Sequence, residues 1–160
     1  EYPCVLKRID LHSGHGIAIA DSAAHLDMLL RQRPWNGQKI ILQSFVGGTT
    51  EYVTHCIAKD GHLLWTCSYR YEKEKAEDIR TLDNPVTVHA CETPDEVLGC
   101  LAKLLMPLRY SGPCNIDYKL TDEGGMIIFE INPRLGGSLM MPGHTDRLRE
   151  ALAVIIENAA

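Results

Sequence analysis

The sequence predicts an α+β protein of two small lobes, each with a mostly antiparallel sheet and helices. Two clusters of turn residues, at 59–61 and 122–125, each separate two runs with strand character, which is the signal of an antiparallel hairpin. Three further segments place apolar residues at helical spacing behind a capping residue. With 160 residues, the chain is long enough to bury a core.

The first lobe is expected over residues 1–46 with the order β-loop-β-α-β. Strand patterns occupy residues 4–9 and 16–20, and residues 39–46 are expected to form a buried strand. Between them, Asp21 or Ser22 can cap a helix that carries Leu26, Leu29 and Leu30 on one side.

The second lobe is expected over residues 47–160. Strands are predicted at 51–58, 62–71, 86–90, 115–120 and 126–132. The charged stretch at 72–83 is either a connection or an exposed helix. Residues 93–96 read as a capping box with Pro94 at the first helical position, and Thr145 with Asp146 is expected to cap a last helix.

Composition excludes several classes of function. The formal charge of −5 argues against nucleic-acid binding, which requires a surplus of lysine and arginine. None of the six cysteines forms a CxxC pair, so buried thiols in a reducing cytoplasm are expected rather than a zinc site. No apolar run reaches transmembrane length, and no membrane partner is expected.

The hairpin at 115–132 carries the first candidate site. Because side chains alternate along a strand, Asn115 and Asp117 share one face, and Glu130 and Asn132 share a face of the partner strand. A register that sets Asp117 beside Glu130 would gather oxygen ligands suited to Mg²⁺. A solvated polar face of an antiparallel hairpin explains the same pattern equally well.

Two other features carry chemistry. Arg134 follows the strand with Asn132, where a guanidinium can neutralise charge on a transferring phosphoryl group; the alternative is a surface arginine followed by a glycine turn. Lys7 lies in an apolar strand and needs an anionic partner. The glycine loop at 13–16 follows, and its backbone amides can approach phosphate oxygens. His12 and His15 could form a metal pair, but phosphate-facing or solvent-exposed histidines are favoured.

Six segments together resemble the ATP-grasp superfamily in order and spacing. They are residues 5–7, 13–16, 42–48, 51–53, 115–117 and 130–134, and the strongest single match covers residues 130–137. The resemblance covers nearly the whole chain. It is closest to the carboxylate-amine ligases related to the L-amino-acid ligases and to the carbamoyl-phosphate synthetase large chain. It implies the ATP-grasp fold, with ATP held between the two lobes.

The resemblance implies a nucleotide site. In it Lys7 contacts the ATP phosphates and the loop of Ser13, Gly14, His15 and Gly16 closes over them. Gln43 faces the adenine amino group, the segment of Ser44, Phe45 and Val46 completes the adenine contacts, and Glu51 accepts from the ribose hydroxyls. Many members have glutamate in place of Gln43, but glutamine can still accept through its carbonyl.

The resemblance also implies the reacting centre. Asp117, Glu130 and Asn132 hold one or two Mg²⁺ ions, for which Mn²⁺ can substitute. Arg134 stabilises the transferred phosphoryl group, and Arg70 is a further candidate for contact with the γ-phosphate.

The expected reaction is ATP-dependent ligation of a small-molecule carboxylate to an amine or other nucleophile. Some ligases of this superfamily have an arginine where Asn115 stands, which points away from the D-alanine ligase branch. The family's N-terminal domain, which contributes to the acceptor site, is expected to belong to a longer parent chain. A homo-oligomer is compatible with these expectations. The alternative function is a non-catalytic nucleotide-binding module.

Overall fold

A computed structural model describes residues 1–11, 14–80 and 86–158, and the chain divides into two compact units. The first unit comprises Glu1–Thr49 with Glu72–Thr87, and the second comprises Thr50–Tyr71 with Val88–Ala160. The segment 72–87, which the sequence-based division counted with the second lobe, therefore clusters with the first unit.

The described residues of the first unit form a three-stranded antiparallel sheet and one helix. Its elements are β1 (Cys4–Arg8), β2 (Ile17–Ala20), α1 (Ala23–Leu30) and β3 (Ile40–Ser44), and the strand order is β2-β1-β3. Ser22 caps α1 by accepting a hydrogen bond from the His25 backbone N–H at 3.2 Å. The predicted β-loop-β-α-β order is confirmed. Its core is formed by Cys4, Leu6 and Ala20, against which Leu26, Leu29 and Leu30 pack.

The expectation that residues 39–46 form a buried strand is wrong. Within the described part of the chain, β3 pairs with β1 alone and lies at the edge of its sheet, where Ile41 and Leu42 are each 50% exposed. An apolar run at this length does not distinguish a central strand from an edge strand, because pairing depends on the neighbours that the fold supplies.

The second unit contains a five-stranded sheet with the order β6-β5-β4-β7-β8. Its strands are β4 (Thr50–Lys59), β5 (His62–Glu72), β6 (Thr87–Cys91), β7 (Gly112–Leu120) and β8 (Met126–Asn132). Both predicted hairpins are present. Asp60 and Gly61 join β4 to β5 with φ angles of 51° and 85°, which is the left-handed geometry of a two-residue hairpin turn.

Three helical segments complete this unit: α2 (Asp95–Leu105), a short 3-10 helix (Gly137–Met140) and α3 (Thr145–Glu157). The helix α2 packs on one face of the sheet. Its buried residues Val97, Leu101 and Leu105 join a core that includes Cys56, Ala58, Cys114, Ile116 and Tyr118. On the opposite face of the sheet, Val53, His55 and Ile57 of β4 are buried as well.

Two predicted helix caps are wrong. Thr93 makes no capping bond, because its hydroxyl lies 2.7 Å from the Ser68 hydroxyl, and Pro94 occupies the N-cap position instead. Thr145 is the first residue of α3 rather than its cap. Among the described residues of the segment 72–83, bends and turns follow Glu72, so the alternative of an exposed helix is not observed there. No helix in the described ranges combines the length and apolar character needed to cross a membrane.

Candidate metal and phosphate site

The predicted register of the last hairpin is confirmed. Asp117 of β7 lies directly opposite Glu130 of β8, and Asn115 lies opposite Asn132. Directly opposed residues of an antiparallel pair project from the same face, with β carbons about 5 Å apart. The two carboxylates and two amides therefore form two adjacent cross-strand rows on one face of the sheet.

The strand β4 extends these rows. Val53 lies opposite Asp117 and His55 lies opposite Asn115, so both point to the same face as the hairpin's polar side chains. Thr54, which projects from the other face, hydrogen-bonds with Ser68 and with the Tyr118 hydroxyl on the side of α2. The polar rows therefore lie on the face of these strands opposite the core that includes α2.

Exposure across the rows is graded. Asn115 is only 6% exposed, Asp117 and Asn132 are half-buried, and Glu130 and Arg134 are exposed. Arg134 donates a long hydrogen bond of 3.5 Å from Nη2 to the Asn132 side-chain oxygen and another of 3.2 Å from Nη1 to the Leu135 carbonyl. The guanidinium of Arg134 thus lies at the exposed end of a half-buried acidic patch.

The donor set suits a hard cation. Asp117, Glu130 and Asn132 offer two carboxylates and one amide oxygen on one face, and Mg²⁺ commonly takes one or two protein carboxylates and completes its shell with phosphate and water. Among the described residues, no group of three or more His, Cys, Asp and Glu side chains is arranged to hold a metal.

Sequence reasoning missed His55, which contacts the segment after β8. His55 is fully buried, its Nδ1 accepts from the Gly136 N–H at 3.3 Å, and its Nε2 lies 2.6 Å from the Ser138 hydroxyl. Burial first, and the nearby Arg134 charge second, lower the pKa of His55 to about 4. The available signal in the sequence was a histidine on a strand face whose other side chains are apolar. That signal is weak as long as the residues that pair with the histidine across the sheet are unknown.

In the first unit, the structure brings two predicted nucleotide residues to one face. Lys7 of β1 lies opposite Ile41 of β3, and Gln43 of β3 lies opposite Val5, so Lys7 and Gln43 share the face away from Leu6 and α1. Both are half-buried. Ser44 is exposed, Phe45 and Val46 are half-buried, and a cavity of ≈ 220 Å³ is lined in part by Gln43 and Ser44.

The glycine loop is described from Gly14 onward, and Ser13 and His12 lie outside the described residues. Gly14 and Gly16 have φ angles of 80° and 67°, which favour glycine, and His15 between them is exposed. The Gly16 carbonyl accepts from the Arg8 N–H at 2.9 Å, which closes the loop between β1 and β2.

The two remaining candidates lie on opposite faces of the second unit's sheet. Glu51 is half-buried and alternates with Val53 and His55, so it projects toward the polar rows. Arg70 alternates with Ser68, whose hydroxyl bonds Thr54 on the α2 side. The structure therefore does not bring Arg70 to the polar rows.

Comparison with known proteins gives one curated relative and many similar structures. The chain is 23% identical over 138 residues to the carbamoyl phosphate synthase arginine-specific large chain of Bacillus subtilis (strain 168). The matched region covers 83% of this chain and 13% of that protein. The chain thus spans only a small part of this relative. No family model matches the chain.

Two solved structures illustrate the structural likeness. An L-amino acid ligase from Bacillus licheniformis has a TM-score of 0.59 and 18% identity, with 88% of this chain and 34% of that chain covered. A D-alanine–D-alanine ligase from Bacillus anthracis, complexed with ATP, has a TM-score of 0.63 and 20% identity, with 98% of this chain and 53% of that chain covered.

These likenesses agree with the α+β architecture and with the antiparallel sheets of both units. The resemblance that the sequence motifs predicted is confirmed at the level of the fold: this chain has the ATP-grasp fold.

Proposed function

We propose that this chain is the ATP-binding catalytic domain of an ATP-dependent carboxylate ligase. The observation that carries the proposal is the pairing of Asp117 with Glu130, with Asn132 on the same face and Arg134 two residues beyond it. Like charges directly opposed across two strands are unfavourable unless a cation lies with them. A site for metal and phosphate would supply such a cation.

In the proposed reaction, ATP phosphorylates a carboxylate, and an amine or other nucleophile then displaces phosphate from the acyl phosphate. Asp117, Glu130 and Asn132 would hold Mg²⁺, which when bound neutralises charge on the phosphate oxygens. Arg134 would stabilise the phosphoryl group through charge-assisted hydrogen bonds. In the first unit, Lys7 would contact phosphate and Gln43 the adenine amino group.

The site is tested by removing one anionic ligand. Glu130→Gln keeps the size and hydrogen bonding of the side chain but lowers the charge by one, so Mg²⁺ affinity falls and turnover collapses. The assay measures ADP formed by the full-length protein from Mg-ATP with a panel of amino acids as carboxylate and amine donors. Glu123→Gln is the matched control, because Glu123 is an exposed glutamate in the turn of the same hairpin.

The same assay separates the two candidate functions. A ligase forms ADP only when a carboxylate acceptor is present, and the dependence on Mg²⁺ shifts to higher concentration in Glu130→Gln. A non-catalytic nucleotide-binding module binds the analogue AMP-PNP but forms no ADP with any member of the panel. If Glu130→Gln retains the wild-type rate at limiting Mg²⁺, the metal assignment is refuted.

A further inference from the structure

His55 occupies the same cross-strand row as one of the candidate metal ligands. Its Cα lies opposite that of Asn115, which in turn lies opposite Asn132. The ring is fully buried and packs edge-on against Tyr69, with ring centroids 5.8 Å apart. His55 therefore lies beneath the polar surface and not on it, out of reach of a ligand bound there.

Both ring nitrogens of His55 bond the segment that follows β8. Because Nδ1 accepts the Gly136 N–H at 3.3 Å, the proton of the neutral ring is assigned to Nε2, which donates to the Ser138 hydroxyl at 2.6 Å. One side chain thus holds two points of this segment, which we call the anchored segment and which spans residues 133–138.

Two further contacts fix the same segment. A β carbon added at Gly136 would lie 2.6 Å from both Asn115 Nδ2 and His55 Cε1, so the backbone rests directly on the sheet at this point. The Ser138 carbonyl accepts from His144 Nδ1 at 2.8 Å, and the His144 ring stacks on Tyr69 at 4.5 Å. The far end of the anchored segment is therefore held by buried hydrogen bonds.

Arg134 lies between the two fixed ends. It comes two residues after Asn132, where β8 ends, and two residues before Gly136. Its side chain is exposed and makes a 3.2 Å bond to the neighbouring Leu135 carbonyl and the 3.5 Å bond to Asn132. With little packing around the guanidinium, the backbone on either side determines where it lies.

We infer that His55 is a positioning residue that acts through Gly136 and Ser138 to hold Arg134 beside the carboxylate rows. The inference rests on the proposed function for the role of Arg134, but not for the anchoring itself. A displacement of about 1 Å in a group that stabilises a transferring phosphoryl group can slow the reaction about a hundredfold. A buried anchor beneath an exposed catalytic cation supplies that precision.

The anchoring is tested by hydrogen exchange in the full-length protein. His55→Leu removes both hydrogen bonds at similar volume, so exchange in a peptide covering residues 134–141 rises by roughly tenfold or more, while peptides from β1 to β3 keep their rates. His55→Asn keeps an acceptor near the position of Nδ1 and restores part of the protection. His62→Leu is the matched control, because His62 is an exposed histidine in the next strand. Unchanged exchange at 134–141 in His55→Leu overturns the inference.

The action through Arg134 is tested by a double-mutant cycle on ADP formation from Mg-ATP with an amino-acid acceptor. His55→Leu lowers kcat roughly ten- to a hundredfold and leaves KM for ATP within about twofold, because the ring does not reach the nucleotide. The double variant with Arg134→Ala is no slower than Arg134→Ala alone. Rate losses that multiply in the double variant overturn the inference, since His55 would then act independently of Arg134.

Two outcomes separate this inference from the proposed function. If Arg134→Ala forms ADP at the wild-type rate, the catalytic role of Arg134 is refuted and positioning of Arg134 with it, while the exchange experiment still decides whether His55 anchors the segment. If His55→Leu does not fold, Ser138→Ala removes one of the two bonds and is expected to give the same pattern at smaller amplitude, with Ser138→Thr restoring it. A Ser138→Ala protein with unchanged exchange and kcat refutes the inference.

Discussion

The buried His55 ring makes stability depend on pH in a way that one substitution can isolate. Its pKa falls from an ordinary value of 6.5 to about 4, through burial first and the Arg134 charge second. The folded state therefore holds a neutral ring at pH values where the unfolded chain binds a proton. The contribution of the neutral His55 ring to the free energy of unfolding is fully present above pH 6.5 and is lost as the pH falls toward 4.

The size of the effect follows from the shift. A depression from 6.5 to about 4 corresponds to about 3 kcal/mol when the pH reaches 4, and about 2 kcal/mol is already lost at pH 5. His55→Asn does not titrate and retains an acceptor for the Gly136 N–H. At pH 7 the variant is less stable by about 1–3 kcal/mol, because the Ser138 hydroxyl loses its partner.

The assay is urea unfolding of wild type and His55→Asn at pH 7 and pH 5, in a metal-free buffer so that metal binding contributes to neither measurement. All other titrating groups are shared, so they cancel in the difference between the two proteins. The stability gap is expected to shrink by about 2 kcal/mol between pH 7 and pH 5. A gap that stays constant within about 0.5 kcal/mol would refute the assignment of a neutral, proton-excluding His55.

Three further substitutions test other parts of the molecule. Lys7→Ala is expected to weaken ATP binding by roughly ten- to a hundredfold through loss of a charge-assisted contact, measured by calorimetry on the full-length protein, and an unchanged Kd removes Lys7 from the site. Leu101→Ala, at a position with no exposure, is expected to lower the free energy of unfolding by about 2–5 kcal/mol in urea titrations. Gly61→Ala is expected to lower Tm, because the new β carbon would lie 2.4 Å from Met106 Cα at a φ of 85°. Gly124→Ala has a similar φ of 80° but nothing within 4 Å, so a Tm loss as large as that of Gly61→Ala would show that crowding at Met106 is not the cause.

Local pattern was enough to predict most strands and helices. Alternation, turn residues and helical spacing are properties of neighbouring residues, so the two hairpins and the helix that carries Leu101 could be recognised before any contact was known. The same information placed two candidate metal ligands in adjacent strands. Where local pattern failed, another contact competed, as when the Thr93 hydroxyl bonded Ser68 in place of the helix terminus.

The sequence by itself determined the fold class, the order of the elements and the choice of Asp117, Glu130 and Asn132 as one group, because each depends on periodicity or on motif order along the chain. Only the tertiary structure decided that β3 is an exposed edge strand and that Arg70 projects to the α2 side of its sheet. It also decided that His55 bonds the segment that carries Arg134. These outcomes depend on which strands become neighbours and on which hydrogen bonds close between residues more than 80 positions apart, such as His55 with Gly136. Such pairings are stabilised because they are buried, and their burial depends on contacts between segments that are distant in the sequence.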